Sequence, residues 1–196
     1  MIEMGFMRAF ILKASEGRTA PDFSLKSLAS SPGRMDLLAR CIIATFNTPH
    51  GVRKDTFLEI VLEGMPNPPV SMTIDGNSLE RIPSGEVEAA TMIYETLSGR
   101  DISGISVRRR NFQESVRKYL SEGFKLFYLH EAGKDSRGVK YPDKSAFILG
   151  DHKGLDPASE RFLDTVGAER ISLGPFSYLA SHCITVVNCE LEMPKR

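Results

Sequence analysis

"SAFILGDHKGLDPASERFLDTVGAERISLG" (residues 145–174) decides the fold class of this chain. Residues 145–151 form a near-continuous apolar strand, "DPASERFLDTVG" (156–167) reads as a helix, and "AERISLG" (168–174) as a second strand. "KLFYLH" (125–130) supplies another strand just upstream. Strands that stay apolar along their whole length are covered on both faces. Their alternation with helices implies an α/β fold with a mostly parallel sheet flanked by helices.

The front half extends this pattern. "MRAFILKA" (7–14) has a strand's length and leads into a loop of about twenty residues, longer than compact domains ordinarily carry. "SPGRMDLLARCIIATFN" (31–47) is expected to be a helix opened by Pro32, with Met35, Leu38, Ile42 and Phe46 on one face. "TFLEIVLEG" (56–64) and "PVSMTIDG" (69–76) are strands joined through "MPNPP". A helix over 84–99 has Ser84 to cap it and Gly99 to stop it. "GISVR" (104–108) is a short strand, and 111–123 an amphipathic helix that presents Phe112, Val116 and Leu120 to the core. The tail fits a strand through Ile184, Val186 and Val187. It also fits a helix from near Pro175 with Leu179, Cys183, Val186, Val187 and Leu191 along one face, and the helix is the preferred reading.

Composition narrows the function classes. The 196 residues carry 25 basic and 25 acidic side chains, so no overall basic charge advertises nucleic-acid binding, although a local patch remains open. No apolar run is long enough to span a bilayer, and "MIEMGFM" lacks the basic start and apolar core of a secretory signal, so a cytoplasmic location without a membrane partner is expected. Cys41, Cys183 and Cys189 are scattered and odd in number, which points to reduced thiols and to no structural metal.

Ligands of an open parallel sheet gather beyond the carboxyl ends of its strands. Those ends carry Leu129-His130, Leu149-Gly150-Asp151 and Leu173-Gly174-Pro175. Gly150 and Gly174 could let a flat, uncharged ring such as adenine approach bare backbone, or could simply turn the chain. Neither GxGxxG nor GxxxxGK[ST] is present, which disfavours a nucleotide held by its phosphates. Ser181-His182-Cys183 resembles a nucleophile cluster only on paper. Neighbours on a helix point about 100° apart, so a nucleophile pair is disfavoured, and Cys183 taken alone reads as a small buried core residue.

"FILGDHKGLDPASERFL" (147–163) and "ISLGPFSYLASHCITVVNCELE" (171–192) resemble the C-terminal half of the SPOUT class of RNA methyltransferases. With "MRAFILKA", "DFSLKSL", "GRMDLLARC", "HGVRKD", "VLEGMPNPPV" and "GISVRRRNF", the chain resembles the archaeal-type tRNA pseudouridine-54 N1-methyltransferase family from about Met7 to Leu191. That resemblance implies a single SPOUT-like domain with a C-terminal trefoil knot, a homodimer, S-adenosylmethionine as cofactor and tRNA as substrate. Residues 1–6 would be extra to the pattern, 7–123 would form the RNA-facing part, and 124–196 the knotted cofactor-binding part. Matched by position, the cofactor pocket would comprise Leu129, Gly150, Ser172, Leu173, Gly174, Pro175, Phe176, Ser177 and Cys183.

Within the resemblance, Asp36 and the flanking Arg34 become the candidates for catalysis, Asp36 either accepting the N1 proton or positioning the substrate. The plain alternative is an Asp36–Arg40 pair on a helix surface. Arg40, Arg53, Lys54, Arg108 and Arg109 are the RNA candidates, and at least one member of the 108–110 run is expected to be only a solvated edge. Two further readings stand beside this one: a pseudouridine N1-methyltransferase of small-subunit ribosomal RNA, and a non-catalytic RNA-binding or ribosome-assembly protein.

Overall fold

A computed structural model describes residues 6–193, so the expectation about residues 1–6 falls almost wholly outside it. Strand β1 (Met7–Ala14) is followed by helix α1 (Met35–Phe46) and a small hairpin of β2 (Asn47–Thr48) and β3 (Gly51–Val52). Next come β4 (Thr56–Leu62), β5 (Val70–Asp75), α2 (Glu86–Leu97), β6 (Ile105–Arg108) and α3 (Phe112–Ser121). The chain ends with β7 (Lys125–Asp135), β8 (Lys144–Gly150), α4 (Pro157–Thr165), β9 (Glu169–Ser172) and α5 (Ala180–Glu192).

Seven strands form one sheet in the order β6-β5-β4-β1-β8-β7-β9. The pairs β1–β4, β1–β8, β7–β8 and β7–β9 are parallel, while β5 is antiparallel to β4 and β6. Central β1 explains the two-sided core through its period of two. Phe10 and Leu12 join Phe147 and Leu149 under α1, α2 and α5, whereas Ala9 and Ile11 join Tyr128 and Ile148 under α3 and α4. Ala9 through Leu12 are fully buried, as the apolar run required. Parallel register brings the ends of β1, β4 and β8 and the Leu129 turn of β7 to one edge, together with the end of β9.

Four local expectations are corrected. Helix α1 starts at Met35, because Gly33 (φ 93) and Arg34 (φ 48) are both left-handed and break the helix that Pro32 would have opened. Ser84 does not cap α2. The cap is Gly85, and the Ser84 amide and hydroxyl instead donate to Glu88. Leu120 is exposed, and the buried face of α3 is Phe112, Ser115, Val116 and Tyr119, with Tyr119 edge-on to Phe124 at 5.2 Å. Helix α5 begins at Ala180, not near Pro175. It buries Ala180, Ile184, Val187 and Asn188 and leaves Leu179 and Val186 exposed.

The long 15–33 loop is anchored to its own chain. Thr19 donates its amide to the Met65 carbonyl and its hydroxyl to Gly64, and accepts from the Asn67 amide at 2.8 Å. Phe23 and Leu28 are buried, Phe23 edge-on to Tyr94 at 5.5 Å.

Candidate active site

A cleft of about 430 Å³ opens at the carboxyl edge, between the irregular stretch of β7 after Leu129 and the turns that follow β8 and β9. That volume lies within the range of small-molecule sites. Leu129, Gly150, Ser172, Leu173, Gly174, Phe176, Ser177 and Cys183 all line it. Pro175 does not. It lines a smaller cavity of about 260 Å³ behind the same loop, with Gly133, Asp135 and Arg137.

The glycines serve otherwise than as bare ledges. A Cβ on Gly150 would land on the backbone of Gly154, because the Asp151–Gly154 turn folds back onto it. A Cβ on Gly174 (φ 150) would meet the Tyr178 phenol at 2.8 Å. Both glycines therefore permit close packing of the loops that form the cleft. Its apolar wall is made of Leu37, Leu129, Leu149, Leu173, Leu179 and Ala180, which suits a flat ring.

Of the polar wall, sequence reasoning finds His130 and Asp151 as strand-end residues and misses Glu131, His152, Lys153 and Glu160. His130, Glu131, Asp151, His152, Lys153 and Glu160 all face the cleft. Asp151 is held by Ser15, whose amide and hydroxyl donate to it at 2.7 and 2.8 Å, and by the Lys153 amide at 2.9 Å. Lys153 in turn binds Glu16. His130 accepts from the Ala132 amide at Nδ1 and holds Nε2 3.6 Å from Glu160. Hydrogen bonding within its own backbone and from Ser177 keeps the Glu131 carboxyl below its usual range. Burial pushes the Cys183 thiol up to about 11, which does not fit an activated nucleophile.

Leu37 puts the first turn of α1 at the cleft wall. Beside it, Asp36 is almost fully buried and both its oxygens are occupied. Arg34 grips it through Nε at 2.9 Å and a terminal nitrogen at 3.1 Å, and Arg40 adds a bond at 2.8 Å. Burial alone would raise the Asp36 pKa, but the bonds from Arg34 and then Arg40 outweigh it and hold the carboxyl at about 2. Arg34 adopts its left-handed conformation within this grip, and it feels the carboxylates of Asp151, which lines the cleft, and of Glu16, which lies outside it. The plain surface-pair alternative for Asp36 and Arg40 fails, because the carboxylate lies beneath the surface.

The RNA candidates divide between two edges. Arg108 ends β6 on the carboxyl side of the sheet and is exposed, and Arg109 follows it, donating to the Asn67 carbonyl. Arg110 turns inward to buried Glu59 with Lys118. Arg53 and Lys54 lie at the opposite edge and are committed. Arg53 binds Glu192 and the Thr45 carbonyl, while Lys54 donates to the carbonyls of Gly76, Asn77 and Leu79. Arg40 bridges Asp36 and Glu86. Among the described residues, no group of three or more His, Cys, Asp or Glu side chains is arranged to hold a metal, and no helix is long and apolar enough to cross a membrane.

A mostly parallel sheet with a cleft built from strand-end loops at its carboxyl edge is the arrangement of a ligand-binding α/β protein. The structure of Archaeoglobus fulgidus Nep1 bound to S-adenosylhomocysteine superposes with a TM-score of 0.66 at 15% identity, covering 95% of this chain and 97% of that one. The chain belongs to the family described as "Putative SAM-dependent RNA methyltransferase", whose profile matches residues 7–195. It is 38% identical to the tRNA (pseudouridine(54)-N(1))-methyltransferase of Thermococcus gammatolerans, over 95% of this chain and 97% of that protein. The enzyme of the same name from Methanocaldococcus jannaschii is also 38% identical, with the same coverage of both chains.

Proposed function

We propose that this chain transfers a methyl group from S-adenosylmethionine to N1 of a pseudouridine in tRNA, at position 54 as in the relatives so named. The observation that carries this reading is the meeting of an apolar-walled cleft with the buried Arg34–Asp36–Arg40 group at Leu37. The full-length kinship to the tRNA enzymes favours tRNA over ribosomal RNA as substrate, and an enzyme over an inert binder.

Bound in the cleft, the cofactor supplies an electrophilic methyl group on a sulfonium. The chain's task is then alignment and exclusion of water. Leu129, Leu149 and Leu173 would hold the adenine, and the loop from Ser172 to Ser177 with Cys183 would close around the rest. A carboxylate held near 2 is a weak proton acceptor. Asp36 is therefore assigned as a positioning residue. It locks Arg34 at the rim, where the guanidinium can meet the electronegative edge of the base or its phosphate.

Residues 7–123 would present the RNA and 124–196 the cofactor, as a division of labour within one sheet. The cleft loops are assigned to a trefoil knot by kinship alone. A homodimer is supported by the exposed apolar side chains of Phe176, Tyr178, Leu179, Val186 and Met193 along the last loop and α5. Pairing would also let basic groups from two copies serve one tRNA. A cytoplasmic site of action accompanies that substrate. Calorimetry with S-adenosylmethionine on the wild type and on Leu173→Arg tests the cleft. Loss of binding in the variant is expected, and undiminished binding would remove the assignment.

A further inference from the structure

The polar wall of the cleft is unevenly charged. Glu131, Asp151 and Glu160 reach it from three different elements, the turn after Leu129, the turn after β8, and α4. Among the described residues, Lys153 is the one lysine or arginine on the wall, and its ammonium is bound to Glu16 from outside the cleft. Asp151 is consumed by Ser15 and the Lys153 amide. Glu131 accepts local bonds from its own backbone and Ser177, and the side chains of Glu131 and Glu160 are 46% and 26% exposed. His130 faces both, at 3.9 Å from Glu131 and 3.6 Å from Glu160.

The methyl donor carries a sulfonium and an ammonium against one carboxylate, a net positive charge. Its demethylated product has lost the sulfonium charge and is neutral overall. We infer that Glu131 and Glu160 make the cleft selective for the charge of the donor, so that methyl transfer itself weakens the hold on the spent cofactor. This rests on the reading of the cleft as the cofactor site and adds to it the residues that tell donor from product. Wall residues that contact both forms alike through apolar surface, such as Leu149 and Leu173, cannot make that distinction. A unit charge a few ångströms from two carboxylates gains appreciable Coulomb energy even in high dielectric, discounted here because both side chains are partly exposed. The expected preference for donor over product is on the order of tenfold. The bonds that hold the Glu131 carboxyl below its ordinary range keep it charged at neutral pH.

The test is calorimetric titration of the full-length protein with S-adenosylmethionine and, separately, with S-adenosylhomocysteine. Wild type should favour the donor about tenfold at low salt. Glu131→Gln with Glu160→Gln should bring that ratio to within about threefold by weakening the donor and sparing the product. A second arm needs no variant: raising salt from about 50 to about 500 mM should weaken the donor selectively, since only its net charge is screened. Equal affinities in wild type, or a preference that survives both the double substitution and high salt, would overturn the inference while leaving the cofactor site standing. Failure of either ligand to bind wild type would overturn the cleft reading and the inference with it.

Discussion

Replacing Asp36 with Asn keeps the shape of the side chain and removes the charge that two guanidinium groups grip. The fall of its pKa to about 2 corresponds to roughly 2 kcal/mol of native stability, at about 1.4 kcal/mol per pH unit. Because the folded-state pKa is depressed, that contribution is complete above the ordinary carboxylate pKa and is lost as pH falls toward about 2. For a chain of this length, roughly 2 kcal/mol lowers Tm by about 4–8 °C. Asp36→Asn should therefore melt about 4–8 °C below wild type at neutral pH, with the gap closing in acid. Donor affinity should change by less than about twofold, because no Asp36 atom lines the cleft. Methyl transfer should fall on the order of 100-fold, the scale of a misplaced aligning group, as Arg34 loses its anchor. Thermal melts across pH, calorimetry and a radiolabelled methyl-transfer assay read the three quantities. Near-normal turnover, or a Tm gap that does not depend on pH, would refute the positioning role.

Other outcomes follow from the same geometry. Gly150→Ala drives a methyl into the Gly154 backbone and should weaken donor binding by more than about tenfold in calorimetry, since the whole 150–154 turn must move. Arg108→Ala should reduce the salt slope of tRNA binding by about one unit. Arg53→Ala should chiefly lower Tm, because its guanidinium is committed to Glu192 and Thr45. Val186→Glu should shift the protein from dimer to monomer in light scattering if the outer face of α5 is the contact. Cys183, its thiol held at about 11, should alkylate slowly at pH 8 and more slowly still with the donor bound, as followed by peptide mass analysis.

The sheet could be read from the sequence because its strands are apolar on both faces, a pattern that few other environments demand. β1, β4 and β8 lie within two residues of their expected bounds. What misled was apolarity of a different origin. Phe176, Tyr178 and Leu179 look like the start of a buried helix, yet they shape a cleft and an exposed face, and burial begins at Ala180. Tyr119 displaced Leu120 from the core because Phe124 offers it an edge-to-face partner.

At the site, residue positions came from kinship and their physical roles came from the fold. A missing Cβ gives no hint of which atom fills the vacated space, and here the fillers are Gly154 and Tyr178. Arg53 and Lys54 look free in sequence because their partners, Glu192 and the 76–79 carbonyls, are remote. Glu131 and Glu160 read as ordinary surface carboxylates until the chain brings them to one wall.

The central claim meets its most direct trial in nucleoside mass spectrometry of tRNA after incubation with the pure protein and labelled S-adenosylmethionine. One added methyl on pseudouridine 54 is the expected product, absent when uridine occupies that position. An unmethylated tRNA, or a methyl appearing on ribosomal RNA alone, would contradict the account.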